Sequence, residues 1–233
     1  MFTLSAEEIE VVRLSLRIAF WSVTISLPLA FAVAYVLART EFFGKTLLDA
    51  MVHLPLVLPP VVIGFGLLIL FGKRGVIGGV LDDWFGMVFA FRWTGAALAA
   101  GIMGFPLMVR AIRLSLSSID RRLETAARTL GAGPWRVLLT ITLPLALPGI
   151  FTGVLLSFAR SLGEFGATIT FVSNIPGETQ TLPLAIYTLT QQPGGDAQAF
   201  KLCVIAVLLS LAALLVSEWL ARRYRRAFGN PLL

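Results

Sequence analysis

Five long apolar runs, separated by short arginine-rich blocks, constrain most strongly what this chain can fold into. Ile18–Ala38 and Val137–Ala159 contain no charged residue, and Ala50–Phe71 carries only His53. Trp93–Val109 stops at Arg110, and Leu202–Leu220 holds only Glu218. A helix needs about 20 predominantly apolar residues to cross a bilayer, so each run is a candidate span. Pro28, Pro55, Pro59, Pro60, Pro106, Pro144 and Pro148 fall inside these runs. In water they would break the helices; in a bilayer neighbouring groups re-satisfy the freed carbonyls, so kinked spans are expected. The fold class expected is an all-α integral membrane protein with five transmembrane helices, forming one domain over residues 1–233.

Composition closes off the other classes. Hydrophobic residues make up 57% of the 233 and charged residues 14%, against about 25% charged in soluble domains. A soluble core of this size cannot hide that much apolar surface, and disorder needs the opposite balance. The single cysteine, Cys203, and single histidine, His53, exclude a disulfide framework, a thiolate zinc cluster and a Ser/His/Asp triad. With few acids inside the runs, an integral-membrane hydrolase has no catalytic cluster to work with. No catalytic residue, metal ligand or cofactor is therefore assigned. His53 reads as a structural histidine and Cys203 as a small apolar residue of the last span.

The net charge of +6 could suggest nucleic acid, but the basic residues sit in blocks between spans instead of among exposed aromatics. That pattern fits membrane topology and no nucleic-acid partner. One set of loops holds twelve Lys and Arg: Arg39, Lys45, Arg110, Arg113, Arg121, Arg122, Arg128, Arg136, Arg222, Arg223, Arg225 and Arg226. The other holds seven: Arg13, Arg17, Lys73, Arg74, Arg92, Arg160 and Lys201. The richer set faces the cytoplasm by the positive-inside rule, with the N-terminus outside and the C-terminus inside. Arg222, Arg223, Arg225 and Arg226 then anchor the tail to anionic lipid headgroups. Met1–Glu10 has three glutamates and no basic segment, so the first run is expected to be a retained helix and not a cleaved signal. Outside, residues 72–92 suggest an interfacial turn with a short aromatic-anchored helix, and residues 161–200 a longer loop with a short helix at Leu182–Leu189.

The segment 118–138 on the inner side is the most informative. Asp120 can cap a short helix, and Leu123, Ala127 and Leu130 make one apolar stripe. Glu124 and Arg128 are spaced for an i,i+4 pair on the wet side. Gly131 suits the left-handed position that ends a helix, and Gly133-Pro134 turns the chain. Such a helix is too short to be stable alone. By its residues it either docks on another protein or lies on lipid headgroups. Gly44-Lys45-Thr46 is not a nucleotide loop, because Arg39 stands where a P-loop needs its first glycine.

Ala126-Ala127, three residues, Gly131, nine residues, then Ile141-Thr142-Leu143-Pro144 resembles the loop motif of ABC-importer permeases. Thr125 stands where that family usually has a glutamate; here Glu124 lies one residue earlier. Val52–Leu68, Phe105–Leu116, Leu123–Val137 and Phe158–Gly195 are similar to molybdate permeases of the binding-protein-dependent oxyanion importers, the likeness covering roughly Glu10–Arg222. The Gly163–Gly166 stretch is shared with sulfate permeases.

The resemblance implies the ABC-importer permease fold, a homodimer enclosing one path by alternating access, in the bacterial inner membrane. It implies two copies of a cytoplasmic ABC ATPase, which carry ATP and magnesium, and a periplasmic molybdate-binding protein. Glu124, Ala126, Ala127, Gly131, Ala132 and Gly133 would form the coupling contact with the ATPase. Tungstate or sulfate is the alternative substrate. Arg160, Glu164, Thr168, Thr170, Ser173 and Asn174 are candidates for the pathway or gate, because a tetrahedral dianion needs hydroxyls and N–H groups that also release it. Thr168–Asn174 also fit a merely polar outer loop, and Arg160–Glu164 a structural pair four residues apart. Gly149-Ile150-Phe151-Thr152-Gly153 is a close-packing stretch and a candidate for the dimer seam.

Overall fold

The computed structural model describes residues 4–228, with the side chains of 217, 218 and 220–228 outside the description, as are those of the basic tail. All regular secondary structure among the described residues is helical. The helices are α1 Ala6–Arg39, α2 Lys45–Val57, α3 Pro60–Phe71, α4 Val76–Phe85, α5 Trp93–Ser118, α6 Arg121–Thr129, α7 Pro134–Val137, α8 Leu143–Leu162, α9 Gly166–Val172, α10 Leu182–Thr190 and α11 Asp196–Phe228. Four helical stretches are long and apolar enough to cross a bilayer: Ala6–Arg39, Trp93–Ser118, Pro134–Leu162 and Asp196–Val216.

The second expected span is not one helix. Residues 50–71 fall in α2 and α3, which are bent by 112° at a short break. Leu58 and Pro59 are both extended, with ψ of 144° and 133°. A residue that precedes proline is pushed out of the helical region, and here two in succession are. Pro60 then starts α3, where its missing N–H leaves no bond unmade.

The third span also differs from expectation. It runs eight residues past Arg110, because Arg113 Nη1 donates to Asp49 Oδ1 of α2 at 2.7 Å. Basic side chains at the end of a helix need not end it when a carboxylate meets them. The fourth span contains a π-helical turn at Leu138–Thr142 joining α7 to α8. Pro144 has no N–H for the Thr140 carbonyl, and Leu143 N–H reaches back five residues to Leu138 O.

α5 is the central post, with α1 and α8 packed along it. The N-terminal half of its buried face is mostly small, with Ala96, Ala97, Ala99, Ala100, Gly101 and Gly104, and larger side chains such as Met108, Ile112 and Leu116 follow. In lipid no hydrophobic force separates helix from solvent, so close backbone approach and hydrogen bonds do the holding. Ser22 and Ser161 share a buried hydrogen bond of 2.9 Å between α1 and α8. Gly149 and Gly153 of α8 face α5: a β-carbon at Gly149 would collide with Ser115, and one at Gly153 would lie 3.0 Å from Met108 O. The glycines of the stretch offered as a candidate for the dimer seam pack against α5 within the subunit. Outward, α1 presents Phe20, Trp21, Ile25 and Leu29 and α11 presents Val207, Leu208, Leu211 and Leu215, as a lipid-facing surface requires.

Candidate functional site

Two places gather the residues singled out above. The first is built on α6. Asp120 caps it, its Oδ1 accepting Arg122 N–H at 2.9 Å. Its other end is a complete Schellman motif: Gly131 N–H donates to Arg128 O, and Ala132 N–H to Ala127 O, at 3.0 Å each. Gly131 has φ of +84°, the left-handed conformation that disfavours side chains, and nothing lies within 4 Å of where its β-carbon would be. Gly133 then precedes α7 as its N-cap.

On α6 the departure from expectation is Glu124, which does not lie on the wet side. Leu123 and Leu130 are exposed, Leu130 to 88% of its surface, while Glu124 is buried. Glu124 does not pair with Arg128 on the wet side. Its Oε1 accepts from Arg39 Nη2 at 2.8 Å and from Thr142 Oγ1 at 2.8 Å. Burying a carboxylate is tolerable only with charge and hydrogen bonds to meet it, and Arg39 and Thr142 supply both for an inward-facing Glu124. The result is an outward patch of Leu123, Ala126, Leu130 and Trp135, with Phe43 exposed on the nearby α1–α2 connection. There Lys45, by its hydrogen bond and charge, holds the Glu41 carboxyl below the usual range.

The second place surrounds the break between α8 and α9, and α9 itself is a helix the loop reading missed. Arg160 Nη1 meets Glu164 Oε2 at 2.7 Å, with the Glu164 side chain 1% exposed. The other oxygen of Glu164 accepts the Ala167 N–H at 2.9 Å. A charged residue at this depth is met on both sides, as a pair near a membrane edge must be. α9 packs against α3, where a β-carbon at Gly64 would lie 2.5 Å from Ala167 O and one at Gly166 2.8 Å from Pro60 Cβ. The bend between α2 and α3 thus abuts the break between α8 and α9.

Thr168 is buried, and Thr170 Oγ1 donates to its own helix at Gly166 O. Ser173 closes α9 with φ of +63°, and Asn174 Nδ2 donates to Thr188 Oγ1 of α10 at 2.7 Å. Thr170 Oγ1 and Asn174 Nδ2 are thus engaged within the chain, Asn174 Oδ1 is buried without a hydrogen-bond partner, and none of these residues lines the cavity beside the start of α1. That cavity, of about 770 Å³, lies between the start of α1, α10 and the start of α11, and includes Glu7, Glu10, Gln192 and Lys201.

Further partners were hidden in the sequence. Arg17 stacks on Trp93 at 3.7 Å from the ring centre. His53 Nδ1 lies 2.8 Å from Asp49 O, beside the Asp49–Arg113 pair. Among the described residues no group of three or more His, Cys, Asp or Glu is placed to hold a metal ion.

A family profile, binding-protein-dependent transport system inner membrane component, matches residues 26–226. The chain belongs to this family. It is 60% identical over 227 residues to the Molybdenum transport system permease protein ModB of Escherichia coli (strain K12), covering 97% of this chain and 99% of that one. Identity to the Haemophilus influenzae protein of the same name is 58% over 223 residues, covering 96% and 97%. In fold the chain is similar to a bacterial ABC transporter that imports the acidic polysaccharide alginate, with a TM-score of 0.71 at 17% identity, covering 97% of this chain and 82% of that one. Both clusters therefore sit in a multi-pass transport permease.

The Arg160–Glu164 pair yields one prediction. Removing one partner of a buried pair costs about 3–5 kcal/mol, and the partial exposure of Arg160 brings the figure toward the lower end. Arg160→Ala and Glu164→Ala should each lower the melting temperature of the purified permease more than the double substitution does. Additive shifts would show that the two side chains do not act as a pair.

Proposed function

We propose that the chain is the membrane-spanning permease subunit of an ATP-driven molybdate importer, acting without catalysis of its own. Two copies enclose one pathway in the bacterial inner membrane, each copy a single domain with five spans if α2 and α3 are counted as one. The N-terminus lies outside and the C-terminus inside. A separate ABC ATPase, present twice, binds ATP with magnesium and docks on α6. A periplasmic molybdate-binding protein delivers the anion from the other side.

The observation that carries this reading is the capped, outward-facing α6 with its apolar patch, in a chain 60% identical over its length to a molybdenum permease. Leu123 on the nine-residue α6, Leu130 at its C-cap and Trp135 on α7 are exposed; such side chains have no use in water, but they suit a cleft in a partner. Closure of the ATPase on ATP would move α6 and shift the permease between inward-open and outward-open states, by the difference in contact energy between the two. Arg160, Glu164, Thr168, Thr170, Ser173 and Asn174 are proposed to line or gate the path where the two breaks meet.

Reconstitution with the ATPase and the binding protein tests the substrate. Labelled molybdate should enter vesicles only with ATP, and a tenfold excess of sulfate should leave the rate within about a factor of two. Equal competition by sulfate or by tungstate would move the assignment to that oxyanion. Orientation is tested with Cys203→Ser carrying Ala126→Cys. An impermeant thiol reagent should label it from the cytoplasmic side alone, and labelling from outside would overturn the docking role.

A further inference from the structure

Glu124 stands one residue before the position where the family motif usually has its glutamate, and it faces inward. Three elements end on its single oxygen Oε1. Arg39 is the last residue of α1, Thr142 closes the π-helical turn before α8, and Glu124 itself belongs to α6. The side chains of Arg39 and Glu124 are 7% and 10% exposed, so the carboxylate is withdrawn from any partner that covers α6. Arg121 Nη2 adds a second tie to the end of α1, donating to Ala38 O at 3.2 Å.

A nine-residue helix has little stability of its own, so what moves with it depends on what grips it. The two grips differ mechanically. α1 is one continuous helix of 34 residues, and a displacement at Arg39 moves it as a rod. Thr142 sits where the α8 ladder slips by one residue, a place where a helix bends more readily than along a regular stretch.

We infer that Glu124 is a positioning residue that passes the movement of α6 to α1 and to the π-turn of α8, and does not itself contact the ATPase. The apolar outer patch does the docking and the buried carboxylate does the transmitting. This inference rests on the proposed docking of the ATPase on α6.

The test measures molybdate taken up per ATP hydrolysed, in the full complex reconstituted with ATPase and binding protein. Glu124→Ala and Arg39→Ala should each lower that ratio about tenfold while the ATPase still co-purifies, and the double variant should be no worse than the worse single. The charge exchange Arg39→Glu with Glu124→Arg should recover part of the ratio, which a simple loss of fold would not. Thr142→Val keeps the shape, removes one hydrogen bond, and should lower the ratio by about two- to fivefold. It decides the matter if the charge variants fail to accumulate. A wild-type ratio in Thr142→Val or Glu124→Ala overturns the inference alone. So does loss of ATPase co-purification in Glu124→Ala, which would place the carboxylate at the interface. A wild-type complex that does not recruit the ATPase at all overturns the docking reading, and the inference with it.

Discussion

Tryptophan at Gly131 is expected to reduce molybdate uptake by more than about tenfold while the permease still inserts and folds. The backbone there has φ of +84°, so any L side chain adds strain of about 1–2 kcal/mol at one residue. That alone does not unfold the chain, and no atom lies within 4 Å of the β-carbon position to clash with. The indole would instead project beside Leu130 and Trp135, on the surface assigned to the ATPase. Gly131→Ala separates the two effects, because it brings the strain with almost none of the bulk. It should retain most of the uptake, and the ATPase should co-purify with it but not with Gly131→Trp. Normal uptake by Gly131→Trp would remove α6 from the coupling path.

Leucine at Gly149 should have the largest effect on the fold itself. The site lies at the seam of α8 with the central post α5, where a β-carbon would already collide with Ser115 and stand 2.8 Å from Ala111 O. Backbone on the far side cannot rotate away as a side-chain tip can. Overpacking typically costs about 1–3 kcal/mol, and a whole side chain at a backbone contact exceeds the usual case. The expected result is little accumulation in the membrane and no cooperative melting of what is recovered. Gly66→Ala is the control: nothing lies within 4 Å of its β-carbon position, and alanine favours a helix over glycine. Equal accumulation of the Gly149→Leu protein and wild type would mean that this seam is not closely packed.

The glycine stretch in α8 shows where reading residues in order reaches its limit. Gly149 and Gly153 announced a close helix contact, and the contact exists. Which helix would fill it was open, because the spacing of small residues describes one surface and says nothing of its partner. The cluster around α6 has the same character. Asp120 as cap and Gly131 as the left-handed stop were legible, since capping is a matter of residues a few positions apart. The partner of Glu124 was not: Arg128 is near in sequence, but Arg39 is 85 residues away and Thr142 is 18. Long-range pairing of a buried carboxylate overrode the local i,i+4 preference, which is worth only about 0.2–0.5 kcal/mol.

Burial against lipid is a property of composition, so the amino-acid order alone settled that this is an all-helical membrane protein, and the loop spacing pointed to its family. The prolines marked where spans would deviate, yet not how: Pro59-Pro60 produces a 112° bend and Pro144 a π-turn. Those outcomes depend on which carbonyls lose their donors and which neighbours take them up. Only the packed arrangement of α1, α5, α6 and α8 decided which face of α6 turns outward, because a buried charge must find its counter-charge wherever the chain brings one.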